Sequence, residues 1–261
     1  MTCCTPNLSA DLTAYRISTW NPIPAVTTAP LADGVTAPSA TGTATARTVT
    51  NPSPLMRAAR RIGYVSAAVI NSVGGARAGQ AIMFNGGAAI ANPRIDSAGY
   101  WKLSFTWGIS DAALNPEARM FVGAETSLVA PTAVDPATIL NAIGFGCDNG
   151  ETTLRLYGRD GGANTTEIDL GAGFPVNTAD VTAHRMYRTV IECFGAAANP
   201  VRYRWQAYNL DSGAVAEGEI TGLGGPAVNV VMAPRLWRAT GPVSALATGI
   251  DLVHMKLVTK F

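Results

Sequence analysis

The 261-residue chain is 48% hydrophobic and only 14% charged, with 27 glycines and 16 prolines. Such a composition has room for one large β domain or two small ones and suits short strands joined by tight turns, while the scarcity of Glu and Lys argues against a helical protein. A formal net charge of +1 argues against nucleic acid or an anionic membrane as a main partner, and few charges keep copies apart in an assembly.

The start of the chain, Met1 to Pro6, has no basic n-region and no apolar h-region after it. No run of about 18 apolar residues is present to cross a membrane as a helix. These features predict synthesis in a cytoplasm. Four cysteines occur: Cys3, Cys4, Cys147 and Cys193. Their spacing lacks the C-x-x-C pairs of zinc sites. Cys147 and Cys193 read as small buried hydrophobes in strands. Cys3 and Cys4 stand near an end, where a thiol reaches another chain, so they are candidates for an intermolecular disulfide, with an inert terminus as the alternative.

Residues 1–61 read as an extended, irregular N-terminal arm. From Asn21 to Pro54 prolines recur, as in Asn21-Pro22-Ile23-Pro24 and Asn51-Pro52-Ser53-Pro54. They remove donors and force extended backbone. The arm is also poor in charge, unlike a typical disordered tail, and is predicted to lie along a surface and serve assembly. Trp20 reads as an anchor for a neighbour's pocket. Arg57, Arg60 and Arg61 form the dense basic cluster of the chain, either a solvated patch or a site for an acidic neighbour in an assembly.

Residues 62–261 read as one antiparallel β-sandwich, jelly-roll-like and all-β, of about eleven or twelve short strands. Tyr64–Ile70 is a strand before a Gly74-Gly75 turn, and Gln80–Phe84 a strand before Asn85-Gly86-Gly87. Tyr100–Trp107 alternates with period two, placing Trp101, Leu103, Phe105 and Trp107 on one core face. Strands at Met120–Gly123, Ala142–Cys147 and Leu154–Tyr157 follow, with one helical turn between Asp135 and Asn141. His184–Phe194, Val201–Tyr208, Ala214–Thr221, Val228–Trp237 and Ile250–Val258 complete the set. Trp101, Trp107 and Trp205 fit core stripes.

Chemistry is sparse. The two histidines, His184 and His254, fall in strand patterns, GxSxG is absent, and no cysteine carries a protease signature. Two acid pairs, Glu167/Asp169 and Glu217/Glu219, lie at i and i+2, the spacing that puts both carboxylates on one strand face as a sugar hydrolase needs. Neither continues to a third acid. Asp148–Glu151 and Asp160–Asn164 offer oxygen ligands for calcium, but turns favour the same residues. The chain is therefore predicted to be no enzyme, to hold no cofactor, and to bind or assemble.

The Pro/Thr/Ala arm with little charge, Phe121-Val122-Gly123-Ala124, Ile143–Gly150, Asp169–Pro175, Val201–Trp205 and Ile250–Met255 together resemble structural proteins of tailed-bacteriophage virions: collar, head or tail fibre and decoration proteins with a sandwich or jelly-roll module. The similarity is one of pattern and spans about Tyr100 to Phe261. The resemblance implies a virion component assembled in the host cytoplasm, contacts with other virion proteins through the arm and the sandwich, and a homo-oligomer, a trimer above others. The alternative is a carbohydrate- or receptor-binding sandwich, with a host-surface glycan as partner. A polysaccharide-degrading sandwich is the third reading.

Overall fold

The computed structural model describes residues 15–21, 31–33, 39–41, 43–45, 62–78, 83–85, 100–111, 113–177, 186–194, 202–221 and 224–260. In chain order the strands are β1 (Tyr15–Asn21), β2 (Leu31–Asp33), β3 (Ser39–Thr41), β4 (Thr43–Thr45), β5 (Ile62–Val65), β6 (Val73–Arg77), β7 (Met83–Asn85), β8 (Trp101–Ile109), β9 (Arg119–Glu125), β10 (Ala142–Cys147), β11 (Arg155–Arg159), β12 (Thr165–Asp169), β13 (Met186–Phe194), β14 (Arg202–Asn209), β15 (Val215–Thr221), β16 (Val230–Ala239) and β17 (Gly249–Lys260). A single 3₁₀ turn, Pro136–Thr138, accompanies them among the described residues.

Two antiparallel sheets result. The first has nine strands and runs β15-β14-β13-β8-β17-β1-β2, with β5 also on β17 and β4 on β5. The second has eight and runs β12-β11-β10-β9-β16-β6-β3, with β7 on β16. The all-β sandwich expected from alternation is thus the observed architecture. Strands β2, β3, β4 and β7 have only three residues each, too short to show a period.

The core lies between the sheets. From the first come Trp101, Leu103, Phe105, Trp107, Tyr187, Ile191, Tyr203 and Trp205; from the second come Met120, Val122, Ile143, Phe145 and Leu156. All are buried. Trp107 packs on Tyr187 with ring centres 4.9 Å apart, and Phe145 crosses from the opposite sheet to meet Trp205 edge-on at 6.2 Å. Burying side chains of this size contributes about 1.5–3 kcal/mol each.

The outer face of the second sheet is covered as well. Residues 126–141 cross it as a strap, and Phe121, Trp237, Ala142, Ala133 and Ile139 form a separate apolar cluster beneath. Two arginines hold the strap. Arg119 ion-pairs with Asp135 at 2.9 Å and donates to the Ala133 carbonyl at 2.6 Å. Arg235 donates to the carbonyls of Ser127 and Val129 at 2.6 and 2.7 Å and pairs with Glu125 at 2.5 Å. The strap leaves β12 of this sheet exposed, and the nine-stranded sheet presents a polar outer face of its own.

Several expectations are corrected. The sheet pairing crosses the expected boundary at residue 61: β1 pairs with β17 over six residues, from Tyr15↔Lys260 to Trp20↔Met255. The segment Tyr15–Trp20 precedes the prolines and is rich in Tyr, Ile, Thr and Trp, so nothing in it opposes strand formation. Trp20 alternates inward from β1 and is buried in its own chain's core, which removes it as an anchor for a neighbour. The strand expected over Tyr64–Ile70 ends at Val65. Ser72 accepts the Ala67 N–H at 2.9 Å, Asn71 adopts φ 54°, and the chain turns, leaving Val69 and Ile70 exposed. Gly74 and Gly75 lie inside β6, paired with β16, rather than in a turn, and glycine is needed at 75 because an added Cβ would lie 2.5 Å from the Trp237 Cβ.

Candidate functional site: the outer face of the nine-stranded sheet

Period two sends every second residue of β8, β13, β14, β15 and β17 to the outer face, and antiparallel register aligns them in rows. The first row reads Val258, Lys102, Glu192, Arg204, Glu219; the second Lys256, Ser104, Val190, Gln206, Glu217; the third His254, Thr106, Arg188, Tyr208, Val215. Neighbours within a row stand about 4.8 Å apart at the backbone. Two depressions occupy this face. One, of about 520 Å³, is walled by Glu192, Arg204, Gln206, Glu217 and Glu219. The other, of about 530 Å³, is walled by Thr106, Arg188, His254 and Lys256. Lys102 and Val190 line both.

Cross-strand pairs order the first depression. Tyr100 donates its hydroxyl proton to Glu192 at 2.7 Å, and Lys102 reaches the other carboxylate oxygen at 3.4 Å. Gln206 donates to Glu217 at 2.9 Å. Glu219 accepts from Arg202 (Nε, 2.6 Å) and faces Arg204 at 3.5 Å. The Arg202 hydrogen bond holds the Glu219 carboxyl below the usual carboxylate range, with Arg204 adding to it. Carboxylates and amides fixed in this way are acceptors and donors matched to the hydroxyls of a polar ligand. Trp205, at the edge of this depression, is an inward residue seen through Gly218, where a Cβ would lie 2.7 Å from its indole.

Glu217 and Glu219, paired on sequence grounds, do share the outer face of β15. Glu167 and Asp169 share the outer face of β12 on the other sheet, where both bind Arg155, which also pairs with Glu151 at 2.5 Å. Thr153 donates to Asp169 at 2.7 Å and, first among the causes, keeps that carboxyl below its ordinary value. Arginine thus binds Glu167, Asp169 and Glu219, while Glu217 is held by Gln206. The two candidate calcium loops use these carboxylates otherwise: Asp160 accepts the N–H groups of Gly162 and Asn164 in its own turn, and Asp148 accepts that of Ala137 in the 3₁₀ turn. Among the described residues no group of three or more His, Cys, Asp or Glu converges as metal ligands. Cys147 and Cys193 are buried free thiols, and burial pushes Cys147 up to about 12. Cys3, Cys4, Arg57, Arg60, Arg61 and His184 lie outside the described residues.

Of the residues on this face, sequence reasoning singled out His254, Glu217 and Glu219. It missed Lys102, Arg188, Glu192, Arg204 and Lys256. Their signal was present as polar residues alternating with the Trp, Tyr and Ile of the core stripes. Their convergence depends on which distant strands become neighbours.

No protein-family model matches the sequence, and no curated protein matches it. Solved structures do match along the whole fold. Peanut lectin aligns at TM-score 0.54 and 10% identity, over 94% of this chain and 97% of its own. The fold is lectin-like. The carbohydrate recognition domain of Emp47p aligns at TM-score 0.53 and 10% identity, over 93% and 95% of the two chains. A protein of unknown function from Shewanella oneidensis MR-1 aligns at TM-score 0.53 and 12% identity, over 100% and 96%. At these identities the likeness is one of fold, a legume-lectin-like β-sandwich.

Proposed function

We propose that the chain is a glycan-binding module that holds its ligand against the outer face of the nine-stranded sheet. One observation carries this reading: two adjoining depressions on a single sheet face, walled by Glu192, Arg204, Gln206 and Glu217 on one side and Arg188, His254 and Lys256 on the other. A row of hydrogen-bonding groups at strand spacing, about 4.8 Å, suits a chain of sugar rings that offers hydroxyls at regular intervals. Val190 and Val258 supply apolar floor between the polar groups. The lectin and carbohydrate recognition domain among the fold's relatives support the general kind of ligand. Glu219, held below the usual carboxylate range by Arg202 and Arg204, is unsuited to act as the general acid of a hydrolase, which needs a raised pKa. A place in a virion, expected from the sequence pattern, would make this face a receptor-binding surface. That part rests on the pattern alone.

The test is a glycan array followed by titration calorimetry on the glycans retained. Gln206→Ala and Glu217→Ala should each weaken binding about tenfold, as loss of a hydrogen bond to a charged or amide group does. Binding unchanged in both variants, or an array with no retained glycan, defeats the proposal.

A further inference from the structure

The second depression has a charge pattern of its own. Arg188, His254 and Lys256 line it together with Lys102, and no Asp or Glu does. In the neighbouring depression the arginines face acids: Arg202 and Arg204 share Glu219, and Lys102 shares Glu192. Arg188 and Lys256 have no carboxylate within ion-pair distance among the described residues. Both are exposed, while His254 between them is half-buried. Register makes the grouping a built one. His254 and Arg188 flank Thr106 in one row, and Lys256 follows His254 on the same face of β17. Burial, Lys256 and Arg188 lower the His254 pKa, in that order, and all three side chains line the same depression. The chain as a whole carries a net charge of only +1, so this concentration of cations is local.

We infer that the ground over β17, β8 and β13 seats an anionic group of a saccharide, a uronate carboxylate or a sulfate ester, between Arg188 and Lys256. The inference rests on the glycan-binding reading and names the ligand class. Like charges held together repel, and an anion placed among them relieves that repulsion and gains charge-assisted hydrogen bonds from each. Nucleic acid phosphates are less suited, because the patch is a few residues wide with no basic stripe to follow a backbone.

The experiment measures binding of oligogalacturonate, a heparin-derived oligosaccharide, neutral xylo-oligosaccharide and single-stranded DNA to the full chain at two salt concentrations. The variants are Arg188→Ala, Lys256→Ala, the double variant and Arg188→Glu. All replace exposed side chains, and thermal melts confirm that each is folded. The expected result is binding of one or both anionic sugars, weakened by salt, lowered about tenfold by each alanine and abolished by Arg188→Glu. Preference for the uronate or for the sulfated sugar identifies which anion is seated. If neutral xylo-oligosaccharide binds as tightly as the anionic sugars and the variants change nothing, this inference falls while glycan binding stands. If no sugar binds, both fall. Tighter binding of DNA than of either anionic sugar also overturns it.

Discussion

Leu252 and His254 are two residues apart on β17 yet lie on opposite faces of the sheet. Leu252 stands opposite Trp107 and His254 opposite Thr106, so two steps along β17 match one along β8. Val253 is the extra residue of a β-bulge. Before it, Ile250 and Leu252 face the core; after it, Met255 and Leu257 do. His254, Lys256 and Val258 are thereby turned outward to the depression. Without the bulge, strict alternation would drive His254 and Lys256 into the core.

Deletion of Val253 removes the extra residue and leaves an unbulged strand in which His254 stays opposite Thr106 and Met255 and Leu257 still face the core. Deleting Val253 and His254 together instead turns Lys256 inward and Met255 and Leu257 outward, and two such side chains lost from the core cost about 3–6 kcal/mol. The single deletion should change the urea midpoint little, and the double deletion should lower it strongly or prevent folding. Equal midpoints for the two deletions would show that the bulge does not set the register.

Arg238 is fully buried, and Asp111 beside it nearly so, with Nη2 2.5 Å from Oδ2. Asp111 also accepts the Gly249 N–H at 2.8 Å, and Arg238 donates to Asn177 at 2.7 Å. Removing one partner strands the other charge, so Arg238→Met should cost about 3–5 kcal/mol. Asp111→Asn should cost less, because the amide keeps an acceptor for Gly249. A double-mutant cycle by chemical denaturation reads the coupling, and simple additivity of the two losses would contradict this account.

Asp148 provides a pH signature. Burial first, then the neighbouring acids Glu151, Asp135 and Glu167, raise its pKa to about 6, against a lowering by the Ala137 N–H. The folded state thus holds this proton more tightly than the unfolded chain, whose value lies near 3.9. Its stabilising contribution is complete below about pH 4 and is lost as pH rises through about 6. In Asp148→Asn the group cannot ionise. The stability difference between variant and parent should grow in the variant's favour from pH 4 to pH 7. A difference that stays flat over that window would be evidence against a raised Asp148.

Gly75 lies against Trp237, where an added Cβ meets backbone and Cβ together. Gly75→Ala should destabilise by about 1–3 kcal/mol through overpacking. Gly162→Ala, where the nearest atom is 3.4 Å away on the Asp160 side chain, is the matched control. Differential scanning calorimetry of the pair separates loss of glycine freedom from the clash, and equal melting temperatures would disprove the clash.

Thiol titration distinguishes the cysteines. Cys147 and Cys193 are buried and their pKa values raised by that burial, so neither should react with a disulfide reagent in the folded protein. A Cys3→Ser/Cys4→Ser variant should show no reactive thiol when folded and two when unfolded. Reaction of the folded variant would mean that a core strand opens. In the parent, non-reducing gels of the protein from its source test the expected inter-subunit link through Cys3 and Cys4.

Period-two alternation by itself determined much of this protein. Trp101-x-Leu103-x-Phe105-x-Trp107 and Tyr187-x-Thr189-x-Ile191 state in one dimension which residues face the core, because a strand has only two faces. The same logic placed Glu217 with Glu219 and Glu167 with Asp169. What the chain could not show locally is what distant strands decide. Trp20 looked like a loose anchor because its strand needs β17, more than two hundred residues away, to exist. Gly74 and Gly75 looked like a turn because their close neighbours, Val65 and Trp237, lie on other strands. His254 faces outward only because one bulge residue meets β8. Arg188, Lys256 and His254 form one patch because β13, β8 and β17 become neighbours. Side-chain direction is local, whereas adjacency between strands is settled when the two sheets bury their faces together.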